Sequence, residues 1–216
     1  GATSVVVEGE GAGNVEQVED NLVVRALRLA LDRVGAPQVG VRMHCTNRIP
    51  HSRGLGSSAS AIVAGVTLAR ALIGDADVLR RQEILEIGSQ MEGHPDNVAP
   101  AVFGGATVSW MNEETSEVGS VRLTPPDDIH PVAFIPDFEL RTAAARAALP
   151  ATVPHGDASF NVARGALLAA VLSGIAQASG GVDLHSLLLE ATSDRLHQEQ
   201  TRAAMEPSLA LVGWLS

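Results

Sequence analysis

The chain has 216 residues, 45% of them apolar and 19% charged, a composition that excludes a disordered chain and leaves room for one large domain or two small ones. A net charge of −10 excludes a general nucleic-acid binder, yet it permits an anionic ligand held by backbone amides. The single cysteine, Cys45, excludes an internal disulfide and a cysteine-based zinc site. No apolar run is long enough to span a membrane, and the opening GATSVVVEGEG lacks the basic-then-apolar pattern of a signal peptide, so the expectation is a soluble cytoplasmic protein without membrane or nucleic-acid partners.

In chain order, residues 4–8 read as a short strand leading into the glycine-rich turn EGEGAGN. Residues 14–34 read as a helix with Val23, Ala26, Ala30 and Val34 on one face, stopped by Gly35 and Pro37. QVGVRMHCT alternates, which predicts a half-buried strand with Val39, Val41, Met43 and Cys45 inward. After RIPHSRGLGSS, a helix rich in small residues runs to about Ile73 and closes at Gly74. Residues 75–91 form a second helix with Leu79, Ile84, Leu85 and Ile87 on its apolar face. EGHPDNVAPAVFGG breaks the regularity, and GATVSWM with VGSVRL predicts a hairpin about NEETSE. TPPDD marks a domain junction. Beyond it, HPVAFIP predicts a buried strand, and helices are expected over 139–149, 159–178, 183–205 and 207–215. The fold class is α+β in two layers, with domains at 1–125 and 126–216.

Two clusters and a third segment can carry chemistry. In GLGSSASA, Gly54 and Gly56 allow backbone angles closed to other residues, and Ser57 and Ser58 can cap the following helix. The free amides of its first turn then form an anion site, strengthened by the helix dipole. The Walker lysine is missing, so a metal ion is expected to supply the positive charge. An ordinary capped loop is the plain alternative. In EGHPDN, Glu92, His94, Asp96 and Asn97 crowd polar groups into one turn that runs into an apolar stretch. That pattern fits either a surface turn or a buried edge whose carboxylate has a positive partner, such as magnesium held by a glutamate and a serine hydroxyl. In FELRTAAARAALP, Thr142 and Arg146 share one helix face, and the arginine is either a solvated charge or a clamp for a substrate carboxylate. Cys45 falls on the apolar side of its strand and reads as core.

Pro50, Gly54, Leu55, Gly56, Ser57, Ser58 and Ala59 match the P-x-x-x-G-L-G-S-S-A loop, so the chain resembles the GHMP kinases. Within them, EGHPDNVAPAVFGG, DN at 20–21, T-x-x-x-R-x-x-L-P at 142–150 and SDRLHQ at 193–198 are similar to the homoserine kinase group. The resemblance implies a two-subdomain fold, an N-terminal ATP-binding part like the second domain of ribosomal protein S5 and a C-terminal ferredoxin-like α/β sandwich. It implies ATP-dependent phosphorylation of the side-chain hydroxyl of L-homoserine, on the way to threonine. Pro50, Ser52, Arg53 and the 54–59 loop would wrap the ATP phosphates, with Asn21 nearer the nucleotide. Ser58 and Glu92 would hold Mg2+, with Glu86 as the alternative acid. His94, Asn97, Thr142 and Arg146 would contact homoserine, and Arg202 (or Thr201, in the straight register) would stand at the second arginine position. No dedicated base is implied, so Asp96 is not assigned that role, and family members are often homodimers. A mevalonate-type substrate and an inactive nucleotide-binding remnant remain the alternatives. The family's P-x-S-[ST]-A-N-L-G-x-G-F-D and S-G-[SA]-G-P motifs do not occur in these residues, so the fold is expected to be truncated at both ends and the chain alone poorly active; normal ADP release with ATP and homoserine would refute that.

Overall fold

The computed structural model describes residues 2–16, 18–135, 147–176 and 179–198. The chain divides into two compact units, one of Gly1–His51 with Leu55–Arg122 and one of Ser52–Gly54 with Leu123–Ser216.

The first unit opens on β1 (Ser4–Gly9), which pairs in parallel with β2 (Arg42–Asn47) in a register running from Ser4↔Arg42 to Gly9↔Asn47. Parallel neighbours cannot be joined by a tight turn, so the chain crosses over through α1 (Leu22–Arg33). This helix starts later than residue 14 because Asn21 caps it: its Oδ1 accepts from the Val23 amide at 3.0 Å, and its Nδ2 donates to the Glu16 carbonyl at 2.9 Å. The inward face is also rotated from the expected one, and Val24, Ala26, Leu27, Ala30 and Leu31 are buried while Val23 and Val34 are only half-buried. The strand β2 is shorter than its alternation suggests, and Val39 lies exposed outside it. Met43 is buried, and Cys45 packs against the same core, where burial pushes its thiol up from the ordinary value.

α2 (Ser57–Ile73) ends as expected on Gly74, whose left-handed φ of 74° a side chain would strain. It lies close against α1 at Gly65. A Cβ there would collide with the Val23 carbonyl oxygen and come within 2.7 Å of the Ala26 Cβ. α3 (Arg81–Glu92) starts well after residue 75, since Asp75 Oδ1 takes the Asp77 amide in a turn and Leu79 adopts a left-handed φ of 53°, fully buried ahead of the helix. The Glu83 carboxylate then accepts from the Arg80 amide at 2.8 Å.

A short helix, α4 (Val98–Phe103), occupies what reads in sequence as an irregular stretch. Its Pro100 is in the first turn, where an amide hydrogen would have had no partner within the helix. Gly88 of α3 admits Val98 so closely that a Cβ would meet Val98 Cγ1 at 2.5 Å. Ala59, Leu85, Val98, Ala99 and Val118 form a second small core there. The expected hairpin follows as β3 (Ala106–Met111) and β4 (Val118–Leu123), its turn closed by the Asn112 amide on the Glu117 carbonyl at 2.8 Å. The Trp110 indole lies directly over Gly119, leaving no room for a side chain.

In the second unit the buried strand expected from HPVAFIP is not formed. Residues 130–135 carry no strand, and Val132, Phe134 and Ile135 are exposed. An apolar run becomes a strand only with a ladder partner, and none pairs with it among the described residues. α5 (His155–Leu172) begins and ends earlier than the expected 159–178. α6 (Leu184–Thr192) is capped by Asp183 and stops long before residue 205. Asp194 ends that region by accepting the His197 and Gln198 amides at 2.8 and 2.6 Å. Asn161 donates to Asp194, Arg164 pairs with Glu190 at 2.7 Å, and the guanidiniums of Arg164 and Arg195 lie 4.4 and 3.9 Å from the Phe160 ring centroid. The expected helix over 207–215, most of 139–149, and residues 199–205 lie outside the described residues. No described helix is long and apolar enough to cross a membrane.

Replacing Gly65 with Ala should force α1 and α2 apart and lower stability by roughly 1–3 kcal/mol, read as a fall in the urea midpoint at constant slope. Burial tends to raise the Asp194 carboxyl, but the Gln198 and His197 amides and Asn161 outweigh it and hold the group below its ordinary value. A lowered folded-state pKa stabilises above the ordinary carboxylate range and is lost as pH falls through it. The link between α5 and the 194–198 turn should therefore weaken on acidification below about pH 4. Asp194→Asn should flatten that part of the stability–pH curve, and an unchanged curve would refute the assignment.

Candidate active site

Three elements of the first unit meet at the start of α2. The expected serine caps are absent: Gly56 is the N-cap, in the left-handed region at φ 71°, and no side chain caps the helix. Ser57 and Ser58 instead occupy the first two helical positions, with no acidic residue in the first turn. Amides left uncapped by side chains, at the positive end of the helix dipole, suit an anion. Before them, Ser52 (φ 56°) and Gly54 (φ 73°) are also left-handed, and Leu55 is exposed. Pro50 and Arg53 are half-buried, and Ala59 is fully buried against Leu85 and Val98.

Glu92, the last residue of α3, faces this helix start. The Ser58 hydroxyl donates to Glu92 Oε1 at 2.6 Å, joining the two sequence clusters directly. Glu86, the alternative acid, takes a hydrogen bond from Gln82 Nε2 at 3.2 Å. The two acids lie less than two turns of α3 apart, and of the two it is Glu92 that is bonded to Ser58. The pair gives two hard oxygen donors, a type that suits Mg2+. Among the described residues no group of three or more His, Cys, Asp or Glu could hold a metal ion, so any such ion would need ligands from its substrate or from water.

The turn after Glu92 builds the second wall. His94 Nδ1 pairs with Asp96 Oδ1, and the same carboxylate accepts the Asn97 amide at 3.1 Å. Asp96 itself is exposed, whereas His94 is largely covered. The Asn97 side chain lies against Gly56, with its Oδ1 3.2 Å from where a Cβ would be. Asn21 is buried at the cap of α1, its side chain bonded within its own segment. Thr142, Arg146, Thr201 and Arg202 lie outside the described residues. Asn47, the residue after the alternating stretch QVGVRMHCT, is a further polar residue of this region, with its Nδ2 3.4 Å from the Ser57 hydroxyl.

Residues 21–105, which carry all of this geometry, match the model of the GHMP kinases N terminal domain. Over this segment the chain is similar to the GHMP kinases. It is 44% identical over 207 residues to the homoserine kinase of Streptomyces coelicolor, covering 95% of this chain and 63% of that protein. To the homoserine kinase of Mycobacterium ulcerans it is 44% identical over 208 residues, covering 94% and 63%. The chain thus spans a little under two thirds of the length of these curated relatives. Among solved structures, homoserine kinase from Cytophaga hutchinsonii superposes with a TM-score of 0.74 at 24% identity, over 94% of this chain and 61% of that one. A putative homoserine kinase from Listeria monocytogenes gives 0.62 at 29% identity, over 95% and 66%. The mixed helix and sheet architecture is shared with these two solved structures.

Gly56 and Gly74 share nearly the same backbone angles, but a Cβ at Gly74 would meet open space. Alanine at 74 should therefore cost only the left-handed strain, about 1 kcal/mol, while alanine at 56 should also displace Asn97 and cost more. Equal losses in paired urea melts would show that the Gly56–Asn97 contact carries nothing.

Proposed function

We propose that this chain provides the nucleotide and substrate site of a homoserine kinase, transferring the γ-phosphoryl group of ATP to the side-chain hydroxyl of L-homoserine. The observation that carries the proposal is the 2.6 Å bond between Ser58, at the uncapped start of α2, and Glu92. It sets a metal-compatible acid beside an anion-compatible helix start, and the relatives similar over nearly the whole chain are homoserine kinases.

On this reading Pro50, Ser52, Arg53 and the residues from Gly54 to Ala59 surround the triphosphate, whose oxygens take the amides of Ser57 and Ser58. Asn21 stands on the nucleotide side in the family pattern and caps α1 here. Ser58 and Glu92 would hold Mg2+, which when bound spreads the phosphate charge. His94 and Asn97 hold the amino acid and its hydroxyl, with Thr142 and Arg146 on its carboxylate and Arg202 as the second cationic contact. Asp96 orients His94 through Nδ1 and fixes the start of the Asn97 turn. The hydroxyl oxygen forms a bond to the γ-phosphorus as the bond to the β–γ bridging oxygen breaks, and ADP leaves. The hydroxyl proton passes to solvent, because positioning and charge stabilisation supply most of the acceleration in such transfers.

We further read the two units as the N-terminal, S5-like and C-terminal, ferredoxin-like subdomains at 1–125 and 126–216, in a cytoplasmic protein that forms a homodimer. The division near Leu123 supports that boundary.

Incubation of the protein with MgATP should give slow ADP release, well below normal turnover, that depends on L-homoserine, with O-phospho-L-homoserine formed in equal amount. Mevalonate and galactose should be inert; transfer to either would replace the substrate assigned here, and ATP binding without transfer to any would mark an inactive remnant. Glu92→Gln should lower kcat by about 100-fold with little change in folded stability.

A further inference from the structure

Asn47 closes β2 at the point where the chain enters the loop that leads to α2, and it is the residue in register with Gly9 at the end of β1. Its Oδ1 accepts from the Ile49 amide at 2.9 Å. Its Nδ2 hydrogens are spread over the Ile49 carbonyl at 3.1 Å, the Glu10 carbonyl at 3.0 Å and the Ser57 hydroxyl at 3.4 Å. The backbone joins in, for the Asn47 carbonyl accepts the Glu10 amide at 2.9 Å. That carbonyl is also so near Gly9 that no Cβ could be accommodated there.

One side chain thus ties three separate pieces together: the turn after β1, the first residues of the loop, and the first residue of α2. A short amide is suited to this, since it offers an acceptor and two donors on one rigid plane. Within the loop Gly54 and Gly56 bring backbone freedom, and no side chain caps α2. We infer that Asn47 is the positioning residue of the phosphate loop, holding the Ile49 backbone and the Ser57 hydroxyl so that the amides at the start of α2 are preorganised for the ATP phosphates. This role rests on the kinase reading above. Asn47 acts through the loop and touches no reacting atom.

The test compares Asn47→Ala and Asn47→Asp with Asn112→Ala, which removes a similar turn-forming amide from the β3–β4 hairpin, where Asn112 Oδ1 accepts the Glu114 and Thr115 amides. Kd values for MgATP and for adenosine are measured by calorimetry, with amide hydrogen exchange in the ligand-free protein and urea melts alongside. Asn47→Ala should weaken MgATP at least tenfold while adenosine changes less than twofold, and should speed exchange at Ile49. Asn47→Asp keeps the acceptor for the Ile49 amide, so exchange there should stay slow, but loss of the donors to Glu10 and Ser57 should still weaken MgATP. Asn112→Ala should move neither affinity. If wild-type protein binds MgATP and Asn47→Ala binds it equally well, or loses adenosine in the same proportion, the positioning role is overturned and the kinase reading stands. If wild-type protein binds no MgATP, both fall. Unchanged exchange at Ile49 in Asn47→Ala would by itself refute the tether.

Discussion

The first unit is organised around a helix that begins without a side-chain cap. Gly56 takes the left-handed angles that turn the chain into α2, and Ser57 and Ser58 come one position too late to cap it. An uncapped start is a liability in isolation, since first-turn amides then lack partners. Here the rest of the unit holds the helix rigidly enough to carry it. Gly65 lets α1 approach its backbone, and Ala59 in its first turn packs in a core with Leu85 and Val98. Small residues along α2 therefore serve close packing.

Electrostatics at that end are local rather than global. The chain is acidic overall, with a net charge of −10, and it has no lysine of the Walker type in the loop. What favours an anion is the absence of acid in the first turn of α2 and the direction of its dipole. Glu92 is the exception, and its nearest partner is a neutral hydroxyl. On the kinase reading proposed above, a cation shared by Ser58 and Glu92 would reconcile that carboxylate with an anion at the helix start.

Features set by backbone chemistry were the most legible in the sequence. Gly74 ended α2 where expected, and the turn between GATVSWM and VGSVRL closed as a hairpin. The clusters around Ser58 and Glu92 were visible as separate motifs, but their hydrogen bond spans 34 residues of sequence and belongs to tertiary packing. Errors came where one signal hid another. Two serines before an apolar run suggested caps, yet the preceding glycine had already turned the chain. Two prolines in PDNVAPAVF suggested a break, yet Pro100 sits in a first turn that tolerates it. HPVAFIP had strand composition, but composition does not supply a partner strand.

The parallel pairing of β1 with β2 has a consequence for the order in which the unit is built. A hairpin such as β3–β4 is complete as soon as its own short turn has formed. β1 instead meets its described partner only after α1 has been made and laid across, so their pairing waits until Asn47 has emerged. During synthesis its apolar residues, Val5 and Val7 among them, need shelter for that interval. Between the two strands the amphipathic helix α1 supplies that shelter, since Val5 and Val7 pack in the same core as Val24, Leu27 and Leu31.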